Sequence, residues 1–255
     1  MKKLALTIVC AMAMTGAAFA QGFVNWSIPT GDVTMETNST SYSPLLGGGS
    51  TGLTSGAGGG NVGLTATAVN GFYYALLTST ANLSTDTTVW DGTWTGAAGS
   101  GGINMMATNS TGLSHGGVVV GASGGASGTG VAVNWANGTV QSTILVGWSA
   151  DLGTSWVGVS NILAGLANNS TTAFFAADPS GANAFFGETS IGDVNPAASV
   201  PGNNIFSTSS TATGTGTPIF SLNTQLYLIP VPEPTTLALA GLGGLGLMLF
   251  RRQRK

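Results

Sequence analysis

The sequence predicts a mainly β fold: a single β-sandwich or jelly-roll-like domain with one short helix and long Gly/Ser-rich loops. Three observations lead to this prediction. Short runs of β-branched and aromatic residues alternate with Gly, Ser, Thr and Asn, and 41 of the 255 residues are glycine. Two Asn-Gly dipeptides lie between apolar runs, a pattern typical of β-hairpins. The predicted strands are too few for two independent cores. A β-solenoid is the alternative, but the sequence lacks the repeat of fixed period that a solenoid requires.

Seven segments have the length and composition of β-strands. They are residues 22–28, 62–68, 72–78, 117–120, 131–135, 139–148 and 221–229. Asn70-Gly71 separates the second segment from the third, and Asn137-Gly138 separates the fifth from the sixth. Because Asn and Gly both tolerate a positive φ, each dipeptide predicts a hairpin between its two flanking strands.

One segment, residues 155–167, has the periodicity of a helix. Its large apolar side chains recur at helical spacing: Trp156, Val159, Leu163 and Leu166. Thr154 or Ser155 can cap the start, and the asparagines that follow provide a stop. The pattern predicts an amphipathic helix of about three turns that packs on a sheet.

Residues 1–20 have the order of a secretory signal peptide, with a positive start, an apolar stretch and an A-x-A cleavage site. The residues that carry this pattern are Lys2, Lys3, the stretch 4–14, Ala18 and Ala20. Cleavage after Ala20 makes Gln21 the first residue of an exported domain that spans residues 21–230. The only cysteine, Cys10, lies in the removed segment, so no disulfide stabilises that domain.

Charge is divided between the ends and the middle of the chain. All six basic residues lie near the ends: Lys2, Lys3, Arg251, Arg252, Arg254 and Lys255. Every acidic residue except Glu233 lies within residues 21–230. A domain without Lys or Arg cannot neutralise phosphates, so nucleic acid is excluded as a partner.

The C-terminal segment, residues 231–255, has three parts. The Pro-rich motif Val231-Pro232-Glu233-Pro234 precedes an apolar run over residues 235–250 and a basic tail over residues 251–255. The prolines favour an extended backbone. As a transmembrane helix the apolar run spans about 24 Å, which is short for a hydrocarbon core of about 30 Å. The basic tail would hold this end in the cytoplasm, so the membrane is a predicted partner.

This order of motif, apolar span and basic end resembles the PEP-CTERM sorting signal of bacterial exported proteins. The resemblance implies that exosortase, a membrane transpeptidase-like enzyme, recognises Val231, Pro232, Glu233 and Pro234. It also implies that Arg251, Arg252, Arg254 and Lys255 retain the chain in the membrane until it is cut. Family members occur in Gram-negative-type bacteria that make extracellular polysaccharide, which implies an inner-membrane intermediate followed by release to the cell surface or extracellular matrix. A permanent single-span anchor is the alternative.

The sequence offers no catalytic residues and no transition-metal site. Residues 121–125 have the G-x-S-x-G spacing of a nucleophile elbow, but the only histidine, His115, precedes the serine and more Gly and Ser follow it. One histidine without cysteine leaves a transition metal short of its usual ligands. A structural calcium is the remaining cofactor candidate. Its ligands would be Asp193 with Asn195, or Asp86 with Asp91.

The aromatic residues supply one candidate binding site. In Trp90-Asp91-Gly92-Thr93-Trp94, two indoles flank an Asp-Gly turn that carries a carboxylate. Exposed indoles beside a carboxylate suit stacking on sugars, so Trp90, Asp91 and Trp94 are candidate carbohydrate-binding residues. The alternative is that these tryptophans pack in the core of the domain.

Taken together, these patterns predict an exported, non-enzymatic protein of the cell surface or extracellular matrix with a structural or adhesive role. Its predicted partners are exosortase, the secretion machinery and extracellular polysaccharide. A secreted carbohydrate-active enzyme or a carbohydrate-binding module is the first alternative, and would use two of the acids across a cleft. A passive glycosylated spacer is another.

Overall fold

The computed structural model describes most of the middle of the chain. The described residues are 22–25, 33–46, 62–64, 71–79, 83, 88–97, 106–109, 119–121, 131–133, 135–177, 184–199, 202–206, 216–219 and 221–230. Within them the fold is mainly β with few helices, as predicted. The predicted signal peptide and the predicted transmembrane run at 235–250 lie outside the described residues.

Thirteen strands are present in the described part of the chain. They are β1 (Gly22–Asn25), β2 (Val33–Tyr42), β3 (Val62–Leu64), β4 (Phe72–Ser79), β5 (Thr95–Gly96), β6 (Met106–Asn109), β7 (Val119–Gly121), β8 (Val131–Val133), β9 (Gln141–Ser149), β10 (Phe185–Glu188), β11 (Gly192–Val194), β12 (Asn203–Asn204) and β13 (Ser221–Leu228). The helices are α1 (Trp156–Ala167) and α2 (Thr172–Ala177), with 3-10 turns at Pro44–Leu46 and Ala150–Leu152. All seven predicted strand segments contain a strand, although most observed strands are shorter than predicted.

The strands form one large and one small sheet. The large sheet has ten strands. Eight of them follow the order β3-β2-β13-β10-β9-β4-β6-β7, while β11 pairs with β9 and β5 pairs with β4. The small sheet has the order β12-β1-β8. In the large sheet β13 runs parallel to β2 and antiparallel to β10. Jelly rolls are antiparallel, so this parallel pair departs from the jelly-roll part of the prediction.

The central strands β4 and β9 are buried on both faces and pair along their whole length. Their side chains alternate between two hydrophobic clusters, as the two-residue period of a strand requires. Leu76 and Leu145 belong to the cluster that includes the small sheet. Leu77 and Ile144 belong to the cluster that includes the helices. The large sheet is therefore the middle layer, with the small sheet on one face and the helices on the other.

The predicted helix is confirmed as α1. It starts at Trp156, and the hydroxyl of Ser155 accepts a hydrogen bond from the Gly158 amide at 3.3 Å, which is an N-cap. The four predicted apolar positions and Ile162 are all buried. The prediction of a single helix was wrong, because α2 follows after a short turn. That segment is only six residues long, too short for a helical period to stand out.

Both hairpin predictions were wrong. Strand β3 pairs with β2, while β4 pairs with β5, β6 and β9, so the dipeptide at 70–71 does not join two paired strands. At 137–138 the turn does form: the Thr139 amide donates to the Ala136 carbonyl at 3.0 Å, and Gly138 has φ 88°. However, it leads from β8 in the small sheet to β9 in the large sheet. Asn-Gly determines the turn, whereas contacts distant in sequence determine which strands pair.

Gly187 provides a test of the close spacing in the middle of the large sheet. It lies in β10, and a Cβ at this position would overlap the Gln225 carbonyl oxygen and lie 3.0 Å from the Leu226 Cα. Since these are backbone atoms of β13, they cannot rotate away. Gly187→Ala is expected to lower the free energy of unfolding by about 1–3 kcal/mol, measured by urea denaturation.

The matched control is Gly158→Ala on the exposed side of α1, where the nearest atom to a new Cβ is the Ser155 Oγ at 3.2 Å. This variant is expected to change the free energy of unfolding by less than about 1 kcal/mol, because the helix preference of alanine offsets the small shift that the Ser155 hydroxyl must make. Equal stability of the two variants would contradict the close approach of β10 to β13.

Candidate functional site

The junction between the folded domain and the C-terminal motif is well defined on the domain side. Strand β13 ends at Leu228, whose carbonyl accepts a hydrogen bond from the Ser43 amide at 2.7 Å. The next residue, Ile229, is 2% exposed, and its amide donates to the Ala184 carbonyl at 2.9 Å. Pro230 is partly buried. The fold therefore holds the chain up to the residue before the predicted motif.

Two strands hold β13 in place, β2 along most of its length and β10 at its last two residues. Its neighbours are β2 on one side and β10 on the other, so β13 is an inner strand of the large sheet. Asn38 of β2 donates through its side chain to the Gln225 side chain at 2.7 Å. Leu226 is fully buried in the cluster shared with the small sheet. The predicted motif residues Val231, Pro232, Glu233 and Pro234 lie outside the described residues, as do Arg251, Arg252, Arg254 and Lys255.

The other predicted processing site has a similar arrangement. The predicted cleavage residues Ala18, Ala20 and Gln21 lie outside the described residues, but β1 begins at the next position, Gly22. The Gly22 amide donates to the Trp135 carbonyl at 2.9 Å. Strand β1 is the middle strand of the small sheet. Each predicted targeting segment is thus adjacent in sequence to an inner strand of one sheet.

The three candidate carbohydrate-binding residues differ in how far their side chains are buried. Trp94 is 3% exposed and belongs to the hydrophobic cluster under the helices, so its ring face is not available to a sugar. Trp90 is half-buried and meets Phe186 edge to face, with ring centroids 6.1 Å apart. Asp91 is exposed, and its Oδ1 accepts from the Thr93 amide at 2.8 Å, which closes the turn. Only Trp90 and Asp91 present accessible surface.

The remaining described tryptophans pack in the core. Trp135, Trp148 and Trp156 are all at most 6% exposed. Trp148 lies 5.8 Å from Trp156 between ring centroids, and its Nε1 donates to the Gly153 carbonyl at 2.8 Å. Core packing, the alternative for the aromatic set, is therefore confirmed for these three and for Trp94.

The candidate calcium ligands Asp193 and Asn195 are both engaged in hydrogen bonds. The Asp193 Oδ1 accepts from the Ser142 hydroxyl at 2.7 Å, and the Asn195 Oδ1 accepts from the Gly138 amide at 2.8 Å. These bonds connect the β11 region to β9 and to the turn before it. Asp86 lies outside the described residues. Within the described ranges, no group of three or more His, Cys, Asp or Glu side chains is arranged to hold a metal ion.

Sequence reasoning missed two features near these residues. Asn203 and Asn204 of β12 line a small polar cleft together with Asp193 and Asn195. The pairing of β12 with β1 and the hydrogen bond from the Asn203 side chain to the Asn195 carbonyl at 2.6 Å hold them there, and no sequence pattern marks either contact. Ile229 was predicted as the last residue of a strand, but the sequence did not predict that its burial and its hydrogen bond hold the chain in the core just before the motif. The signal that marks it is the last large apolar residue before a run of prolines.

The geometry defines a mainly β domain whose last inner strand leads directly into a targeting segment. Residues 230–255 match the family model described as the PEP-CTERM protein-sorting motif. The chain therefore carries a PEP-CTERM sorting motif at its C-terminal end, which indicates an exported protein sorted through that signal and supports exosortase as a partner. No curated protein and no solved structure matches the chain significantly. Among the described residues, none of the helices has the length and apolar character needed to cross a membrane.

Proposed function

We propose that residues 21–230 form a non-enzymatic structural or adhesive domain that is released to the cell surface or extracellular matrix when exosortase cuts within Val231–Pro234. The distribution of charge is the observation that carries the proposal. Every Lys and Arg lies in one of the two targeting segments, so removal of both segments leaves a domain with no cationic side chain except His115. Such a domain is repelled by anionic lipid headgroups once it is cut, which favours release over retention at the membrane.

Support for a structural role comes from how the acids are placed. Asp91 and Asp151 are exposed, on separate turns, and Asp193 is held by Ser142. Of the described acids, only Asp193 lines the polar cleft. A glycoside hydrolase needs two carboxyl groups on opposite sides of one cleft, roughly 5–10 Å apart. Among the described residues, the cleft presents one carboxylate, that of Asp193, whereas this mechanism requires two.

Intact-mass measurement of the surface-released protein tests the sorting step. The expected protein begins at Gln21, ends within Val231–Pro234 and lacks the apolar run. Recovery of the complete C-terminus from the membrane fraction would instead support the permanent-anchor alternative. A variant with Pro232 and Pro234 replaced by alanine is expected to accumulate uncut, because the extended motif is lost.

Retention on the producing cell's own matrix polysaccharide tests the adhesive role. Trp90 and Asp91 are the accessible part of the candidate carbohydrate site, so Trp90→Ala is expected to weaken retention on the order of ten-fold. Asp151→Asn changes an exposed acid elsewhere and is the control. This variant is expected to be retained on the polysaccharide as strongly as the unmodified protein. If the unmodified protein is not retained, or if Trp90→Ala changes nothing, this site has no adhesive function.

A further inference from the structure

We propose that the folded domain restricts its own processing: docking of β13 into the large sheet and binding of the motif by exosortase compete for the same short stretch of chain. The inference rests on the proposed cleavage within Val231–Pro234. The proposal concerns the order of docking and cleavage. The motif is cut either before Ile229 docks in the core or while Ile229 is transiently undocked.

The first step of the argument is the position of β13. It is an inner strand: β2 pairs with it along most of its length, and β10 pairs with its last two residues, Tyr227 and Leu228. The end of the strand is also held: the Leu228 carbonyl is bonded to the Ser43 amide, and the Ile229 amide to the Ala184 carbonyl. Ile229 is 2% exposed. The chain therefore remains part of the folded core until one residue before the motif begins.

The second step is reach. Between the docked Ile229 and the start of the apolar run at Thr235 lie only residues 230–234. Fully extended, the six residue steps from Ile229 to Thr235 span at most about 22 Å. The headgroup region accounts for roughly 5–8 Å of that distance on one side of a bilayer. A folded domain is therefore held close to the membrane surface while the tail is still inserted.

The third step is what a processing enzyme needs. An active site that grips an extended peptide must contact the backbone of the motif and of its flanking residues. On the domain side the flanking residues are Pro230, which is partly buried, and Ile229, which is buried. Access to them requires loss of the Ile229–Ala184 hydrogen bond and exposure of the isoleucine side chain. Both losses oppose binding, so the docked state is the slowly processed state.

Pulse-labelling in the producing bacterium, followed by the loss of the C-terminal tail with time, tests the proposal. The first variant carries a six-residue Gly/Ser spacer between Pro230 and Val231, which moves the motif away from the domain without altering either. The second is Ile229→Ala, which weakens docking without adding length. Both are expected to be processed on the order of ten-fold faster than the unmodified chain, because neither requires a buried isoleucine to be released. The control carries the same spacer between Gly124 and Gly125, in a Gly/Ser-rich tract, and is expected to be processed at the unmodified rate.

The proposal requires acceleration in both variants. If either one is processed at or below the unmodified rate, the fold does not restrict cleavage, although the proposed function stands as long as the tail is removed. If the tail remains intact in every chain, including the unmodified one, both the proposed cleavage and its restriction by the fold are wrong. Acceleration by the control spacer would attribute the effect to general loosening of the protein and would also overturn the proposal.

Discussion

Trp148→Ala is expected to lower the free energy of unfolding by about 3–5 kcal/mol, one of the two largest effects of any change considered for this protein. Trp148 is fully buried near the end of β9. Its ring contacts Tyr73 of β4 and Trp156 of α1, with ring centroids 6.4 Å and 5.8 Å away. Truncation to alanine removes these contacts and leaves a large cavity between the sheet and the helix layer. It also leaves the Gly153 carbonyl without the indole N–H that it accepts at 2.8 Å.

Urea denaturation followed by circular dichroism measures this effect. Trp148→Phe separates its two parts, because the phenyl ring keeps most of the apolar contacts but has no donor for the Gly153 carbonyl. Its expected cost is about 1–3 kcal/mol. Val157→Ala is the control: Val157 lies on α1 but is 64% exposed, so the change is expected to stay within about 0.5 kcal/mol. If Trp148→Ala were as mild as Val157→Ala, α1 would not be packed on the large sheet.

A chain that ends at Phe220, and so lacks β13, is expected to lose cooperative folding altogether. Removal of β13 leaves β2 and β10 without the strand between them and separates β3-β2 from the rest of the large sheet. It also removes Leu226 and Ile229, which are at most 2% exposed and lie in different hydrophobic clusters. Both core clusters therefore lose a member, and β2 and the end of β10 lose their backbone partners. The combined cost is expected to exceed the usual stability of about 5–15 kcal/mol.

The matched chain ends at Pro230 and keeps every described residue while lacking the whole sorting segment. It is expected to unfold in a single cooperative transition with the stability of the processed protein. Far-ultraviolet circular dichroism, thermal unfolding and resistance to limited proteolysis compare the two chains. A cooperative transition in the chain that ends at Phe220 would contradict the inner position of β13.

Local features of the fold were predictable where neighbouring residues determine them. The strand over 141–149 and the helix over 156–167 were recognised because long runs of apolar residues carry a clear period. Strand β2 was missed, because its sequence VTMETNSTSY is polar and its partner β13 is distant in the chain. The short strands β5 and β12 have only two residues each, too few for any pattern.

The candidate sites divide in the same way. The sorting motif could be recognised because its parts are contiguous in sequence, and the family match covers that stretch. The turn at Trp90–Trp94 could be located, but its accessibility could not, since Trp94 is buried in a cluster whose other members include residues of β4, β9 and the helices. Asp193 and Asn195 are two residues apart, yet they bind Ser142 and Gly138 on separate segments. Spacing alone could not show that these oxygens were already engaged.

By itself, the sequence revealed the C-terminal sorting motif and the confinement of Lys and Arg to the two ends, and it predicted a signal peptide and a mainly β domain. These are local properties, carried by composition and by short contiguous patterns. Only the tertiary structure decided which strands pair, which tryptophans are buried and how Gly22 and Ile229, near the two predicted processing sites, are held in the fold. Those outcomes depend on contacts between residues far apart in the chain. Strands β1 and β13 adjoin the two predicted processing sites in sequence. Both are inner strands, because β1 lies between β8 and β12 in one sheet and β13 lies between β2 and β10 in the other.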